Sequence, residues 1–265
     1  MTTATLPRSH AIAWAASDIL AIAGRNLRMY TRLPQLLVFS TIQPVMFVLL
    51  FTYVFGGAIS TSMPGIPYIQ FLLPGVFIQT VVFGSTQTGV GLADDLSRGI
   101  IDRFRSLPMA RSAVLAGRTL SDTVRNLFVV GLMTAVGTMI GFRFLAGLGR
   151  ALGALILAVL LGFAFSWISA FIGLAVRQTE AVQVAGFVWL FPLIFASSAF
   201  VPVRTMPGWL QAFAKLSPIT VSVDAVRALT LGGPAVTPLL QSLGWILAIV
   251  VVFVPLAVHR YRRVT

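Results

Sequence analysis

Six stretches of the chain, roughly residues 34–57, 68–92, 121–141, 151–175, 181–201 and 237–258, are predominantly apolar, and the only charged residues in them are Asp122 and Arg125 near the start of the third. A helix that crosses the hydrocarbon core of a bilayer needs about 20 mostly apolar residues. A charge at its centre costs about 2.5–3.5 kcal/mol even on lenient insertion scales. Uncharged runs of this length predict an all-α integral membrane protein with six transmembrane helices. Composition agrees: 57% of the 265 residues are hydrophobic and 10% are charged, against about 25% charged in an ordinary soluble domain. No polar stretch is long enough for a separate soluble unit. A single membrane domain over residues 34–265 is therefore expected, preceded by an N-terminal segment, 1–33.

The placement of charge orients these helices. The net charge is +12, and 18 of the 19 basic residues are Arg. They flank the apolar runs instead of forming one polar patch, which argues against nucleic-acid binding despite a pI near 11.7. With the N-terminus inside, Arg143, Arg150, Arg204, Lys215 and Arg227 fall outside and the other 14 of the 19 basic residues fall inside. Basic residues concentrate on cytoplasmic loops. The expectation is a multi-pass protein of the inner (plasma) membrane with both termini in the cytoplasm. The first apolar run is longer than a signal-peptide core and is expected to remain as a helix.

Three segments outside the spans carry pattern. In residues 10–33, Asp18, Arg25, Arg28 and Arg32 share one helical face, while Ile12, Ile19, Ala23 and Tyr30 lie on another. This suits an amphipathic helix lying in the inner interface; a basic flank that only sets topology is the simpler alternative. In the loop 93–120, Asp95, Arg98, Asp102 and Arg105 form a stripe of alternating sign opposite Ile100, Phe104 and Leu107, and Pro108 stops the helix. Such a helix can dock on a soluble partner or serve as a solvated connector. In the outer loop 202–236, Ser217-Pro218 reads as an N-cap with Pro at the first helical position. Asp224 and Arg227 are spaced to pair, and Gly232-Gly233-Pro234 ends the helix. Two short helices dipping into the outer leaflet are expected there, with interfacial anchoring by Trp209 as the plainer reading.

Much chemistry is excluded. The chain has no cysteine, which removes disulfides, thiol nucleophiles and Cys-based zinc sites. His10 and His259 lie at opposite ends of the sequence, so no metal site is expected. Asp94 and Asp95 are adjacent and would project about 100° apart on a helix, which is no acid/base pair; no catalytic residues are assigned. The phosphate-binding loop G-x-x-x-x-G-K-[ST] is missing, because the only lysine, Lys215, sits in Phe213-Ala214-Lys215-Leu216. The span centres carry no ionisable residue, which argues against a proton- or sodium-coupled carrier and against an intramembrane enzyme or assembly factor. Uncharged polar residues do occur. Gln43 precedes Pro44, and Gln79, Thr86 and Gln87 fall near one face of the second run with Phe83 between them. Amides in lipid need partners, so these residues pack between helices or border a route for greasy, partly polar molecules. Gln43, Phe47, Gln79, Phe83, Gln87 and Phe195 are the candidates for such a route.

The segment Arg98-Gly-Ile-Ile-Asp-Arg-Phe-Arg-Ser-Leu-Pro-Met-Ala-Arg-Ser-Ala-Val-Leu-Ala-Gly-Arg118 resembles the signature of ABC-2 type permeases, above all their daunorubicin-resistance drug-exporter branch. Phe200-Val-Pro202, Met206-Pro-Gly-Trp-Leu210, Leu216-Ser-Pro218 and Asp224-Ala-Val-Arg227 are similar to the same family's segment before its last span. The resemblance implies a six-helix half-transporter that pairs with a second permease subunit, as a homodimer, and binds two copies of a cytoplasmic ATPase. ATP and Mg would sit on that ATPase, with no cofactor on this chain. It further implies that Asp95, Arg98, Asp102, Arg103, Phe104, Arg105 and Pro108 belong to a coupling helix that touches the ATPase. Residues 10–33 would form a connecting helix, and 205–231, with Pro218, Asp224 and Arg227, the outer re-entrant helices. The implied cargo is a hydrophobic drug, antibiotic or lipid-like metabolite moved outward; export of a polysaccharide or glycolipid is the alternative within the family.

Overall fold

The computed structural model describes residues 8–32, 34–57, 66–101 and 111–263, and no strand occurs among them. Helix α1 spans Arg8–Arg32. Helix α2, Pro34–Leu49, continues through a π-helical turn at Leu50–Phe55, six residues beyond Pro44. Then follow α3 (Tyr68–Ser97), α4 (Arg111–Ile140), α5 (Leu148–Val176) and α6 (Thr179–Phe195). Two short helices, α7 (Gly208–Leu216) and α8 (Pro218–Leu231), precede the last, α9 (Val236–Arg263).

Among the described residues, four helices are long and apolar enough to cross a membrane: α3, α4 from Ala113, α5 and α9. The other two expected spans are shorter apolar helices, Ser40–Phe55 and Thr179–Phe195, each about 25 Å long at 1.5 Å per residue.

Helix α3 is the axis of the bundle. It is buried almost without interruption from Tyr68 to Val82, as a helix must be when it is apolar on every side. Small residues bring its neighbours close, the usual device where lipid supplies no hydrophobic drive between helices. Gly89 and Gly173 bring α3 and α5 into backbone contact, and Gly75 lies against the Ala199 backbone; a Cβ at any of the three would collide. Ser85 Oγ and Ser169 Oγ, 3.3 Å apart, add a polar tie between α3 and α5.

The two ends of the bundle differ. One end is rich in arginine and gathers α1, the C-terminal part of α3, the start of α4 and the end of α9. There Ile22, Leu92, Ile101, Leu115, Leu174 and Tyr261 form a second apolar core. Helix α1 lies on α4, with Ala23 and Tyr30 buried and Arg25, Arg28 and Arg32 exposed, as its amphipathic pattern predicts. Gly117 permits the approach, since a Cβ there would stand 2.8 Å from Ile22 Cβ. At the far end, the loop after α4 is strapped to α8 by Leu145 N–H and Ala146 N–H donating to Thr230 O (2.9 and 3.2 Å).

Candidate functional site

A cavity of about 870 Å³ runs inside the chain between α1, α2, α3, α4 and α6. Its α3 wall extends from Gln79 to Asp95, about 24 Å of helix, and it meets the Arg-rich end beside the exposed Arg25 and Arg98. Gln43, Gln79, Phe83 and Gln87 line it. Phe83 packs on Phe187 of α6, ring centroids 5.3 Å apart, and both border the space.

Phe47 and Phe195 lie elsewhere. They join Phe51 and Phe200 in an aromatic cluster toward the far end, with centroids 6.4 Å apart for Phe47–Phe195, 5.0 Å for Phe195–Phe200 and 4.7 Å for Phe51–Phe200. None of these four rings borders the cavity.

The wall beneath the amides is ionic. The charges at the start of the third apolar run supply it. Helix α4 begins earlier, at Arg111, which places Asp122 about 17 Å along it, fully buried. Its carboxylate accepts from Thr88 Oγ1 (2.6 Å, to Oδ2) and from Tyr30 Oη (3.1 Å, to Oδ1). Arg118 Nε stands 3.5 Å and Arg125 Nη1 3.6 Å from it. Arg125 Nη2 also donates to Gly84 O (2.6 Å) and Asn126 Oδ1 (3.2 Å), and Arg118 Nη2 donates to Gln87 O (3.2 Å). One buried carboxylate thus ties α1, α3 and α4 together. Burial pushes the Tyr30 phenol above its ordinary range, with Arg125 opposing; it stays neutral and acts as a donor.

The first two positions of the stripe expected at 95–105 fall at the end of α3 and in the turn after it. The helix ends at Ser97, and Gly99 takes a φ of 66°, a left-handed conformation that glycine adopts without strain. Asp95 turns inward, 3.5 Å from Arg25 and 3.9 Å from Arg118. Arg98 stays exposed and pairs with Asp94 at 2.9 Å. Asp102, Arg103, Phe104, Arg105 and Pro108 lie outside the described residues.

At the far end, the local signals read from sequence are found as geometry. Ser217 Oγ accepts from Ile219 N–H (3.3 Å) with Pro218 at the first helical position, and Arg227 Nη1 pairs with Asp224 Oδ1 at 3.0 Å. Arg227 does more than pair. Its Nη2 donates to Phe71 O and Ser198 O, both at 3.0 Å, and its guanidinium lies 3.7 Å over the Phe71 ring. Burial pulls it down to about 10, with Asp224 pulling back, so it is charged at neutral pH and clamps α8 to the start of α3. Among the described residues no group of three or more His, Cys, Asp or Glu is placed to hold a metal ion.

Comparison with known proteins places this architecture. The ABC-2 type transporter family profile matches residues 17–231. The chain is 38% identical over 257 residues to a daunorubicin resistance ABC transporter permease protein, DrrB1, of Streptomyces coeruleorubidus, covering 95% of this chain and 88% of that one. It is 30% identical over 223 residues to a protein of Mycobacterium tuberculosis named "Probable doxorubicin resistance ABC transporter permease protein DrrC", with 83% and 79% covered. A second mycobacterial relative, a doxorubicin resistance ABC transporter permease protein, DrrB, is 27% identical over 192 residues, covering 69% and 65%. A helical bundle built around one buried apolar helix, matched along most of its length by one family, makes this chain a membrane permease of the ABC-2 type transporter family.

Proposed function

We propose that this chain is the permease subunit of an ATP-binding cassette exporter that moves hydrophobic drugs or lipid-like metabolites out across the inner membrane. Six helices span the bilayer, α2 and α6 being the short ones, and the Arg-rich end with both termini faces the cytoplasm. A second copy of the chain completes the membrane unit. Two copies of a separate ATPase supply the energy, with ATP and Mg bound there. The observation that carries this reading is the cavity that meets the Arg-rich end, while the aromatic cluster of Phe47, Phe51, Phe195 and Phe200 gathers away from it. That is the form of a transporter loaded from the cytoplasmic side.

Cargo enters past Arg25 and Arg98, meets Gln87, Phe83, Gln79 and Gln43, and leaves when the cluster holding Phe47 and Phe195 parts. The segment following α3, with Asp102, Arg103, Phe104, Arg105 and Pro108, touches the ATPase together with Arg98. Asp95 takes part from inside, linked through Arg118 to Asp122 and so to α1. Helices α7 and α8, held by Arg227, re-enter the outer leaflet.

The test uses inside-out vesicles from cells producing the chain with its ATPase, with doxorubicin, the probe named by the relatives, supplied in the medium. Accumulation that needs ATP and both proteins supports the reading. Vesicles that accumulate nothing above those lacking the permease, for doxorubicin and a panel of hydrophobic dyes alike, would overturn it.

A further inference from the structure

Charge is distributed unevenly along the cavity. Its charged lining residues are Arg25, Asp94, Asp95, Arg98, Arg118 and Arg125. They run from the Arg-rich mouth to the level of Gly84, whose carbonyl accepts from Arg125. The rest of the lining, with Phe83, Val129 and Phe187, is uncharged. Four guanidiniums thus face two carboxylates, or three once Asp122 behind the wall is counted. Arg177 and Glu180, near Thr179 in sequence, do not line the space and offset one another.

The carboxylates do not close on these cations. A charge-assisted hydrogen bond between guanidinium and carboxylate is about 2.7–2.9 Å long, and of these pairs only Arg98 and Asp94 reach it, at 2.9 Å. Asp95 is 3.5 Å from Arg25 and 3.9 Å from Arg118, and Asp122 is 3.5 and 3.6 Å from Arg118 and Arg125. Two carboxylates are therefore spread over three guanidiniums, and where water is scarce an excess positive charge attracts an anion strongly. The outer two arginines can be reached. The side chains of Arg25 and Arg98 are 42% and 67% exposed, both border the cavity, and the carboxylates beside them belong to consecutive residues. Arg25 is further fixed by donating to Asn26 Oδ1 (3.2 Å).

We infer that Arg25 and Arg98 hold the anionic head of an amphiphile, such as an alkyl phosphate, whose apolar part extends past Gln87 to Phe83 and Phe187. The planar guanidinium matches phosphate in geometry. A cationic head would enter against the excess positive charge, so the site favours acidic, lipid-like cargo over cationic drugs. The inference rests on the proposed transport role only in calling the ligand a cargo.

The full chain in dodecyl maltoside is tested for binding of tritiated dodecyl phosphate by scintillation proximity, with chain-free micelles as the blank. Unlabelled dodecanol and dodecylammonium should each compete at least about tenfold more weakly than dodecyl phosphate, the worth of one hydrogen bond to a charged group, and inorganic phosphate at least about a hundredfold more weakly. Arg25→Gln and Arg98→Gln should each weaken dodecyl phosphate at least about fivefold, and the charge-conserving Arg25→Lys less than about threefold; Arg98→Gln serves should Arg25→Gln fail to fold. Arg28→Gln removes the same charge from the same helix at an exposed residue that does not line the cavity, and should leave the affinity unchanged. Dodecanol or dodecylammonium competing as well as dodecyl phosphate overturns the inference. So does inorganic phosphate of equal potency, which marks a site for a soluble anion, or an equal loss in Arg28→Gln, which marks diffuse surface charge. A chain that binds selectively yet transports nothing with its ATPase upholds the site and counts against the transport reading. A chain that transports yet binds without preference does the reverse.

Discussion

Replacing Asp122 by alanine should undock α1 from the bundle. The carboxylate is fully buried, accepts from Tyr30 and Thr88 and faces Arg118 and Arg125 at 3.5 and 3.6 Å. Arg118 keeps Asp95 at 3.9 Å, whereas Arg125 has no other ion pair among the described residues. Removing one partner of a buried pair costs about 3–5 kcal/mol, mainly because the other charge is left uncompensated. For a chain of this size that corresponds to a fall in apparent Tm of about 2–4 °C per kcal/mol. Heating the purified protein and following the monodisperse fraction by size-exclusion chromatography reads the fall. Limited trypsinolysis at Arg25 and Arg28 reads the release of α1. Because the cost comes from the orphaned cation, Asp122→Ala combined with Arg125→Met should be less damaging than the two single changes added together. An Asp122→Ala protein as stable as the wild type, or strictly additive losses in the double variant, would refute the assignment of Asp122 as the shared counter-ion.

Gly173→Ala should separate α3 from α5, since a Cβ there collides with the Gly89 backbone; loss of monodisperse protein checks it, with Gly149→Ala, where nothing lies within 4 Å, as the control. Arg227→Met leaves the Phe71 and Ser198 carbonyls without their 3.0 Å donor and should lower stability by about 2–4 kcal/mol. In the same thermal assay Asp224→Asn should cost less than Arg227→Met, because the Asp224 side chain is 47% exposed. Asp102→Ala with Arg105→Ala should abolish ATP-driven accumulation while the chain still inserts; normal export with normal ATPase co-purification would contradict the coupling role.

What sequence alone revealed was local. The apolar runs located the helices because each is decided by its own composition. The Ser217 cap and the Asp224–Arg227 pair were visible because their partners stand two and three residues away. The ionic cluster was not visible because its ties cross the chain: Tyr30 reaches Asp122 over 92 residues and Thr88 over 34. A signal was nevertheless present, since Arg118, Asp122 and Arg125 recur at four and three residues on one face of a helix. The stripe through Asp95, Arg98, Asp102 and Arg105 assumed one uninterrupted helix. The break at Gly99 divides it, and Asp95 is drawn inward by two arginines that are distant in sequence. Among the pathway candidates, Gln43, Gln79, Phe83 and Gln87 share the cavity because α3 presents three of them on one side. Phe47 and Phe195 meet each other in the aromatic cluster instead.

The chain has no cysteine, so Gln87→Cys introduces a single thiol on the cavity wall. Its labelling by a membrane-impermeant maleimide in inside-out vesicles, with the partner ATPase either free of nucleotide or trapped with ATP and vanadate, measures access to the cavity directly. The account predicts rapid labelling in the nucleotide-free state and at least a tenfold slowing in the trapped state. Equal rates in both states, or labelling only in right-side-out vesicles, would contradict it.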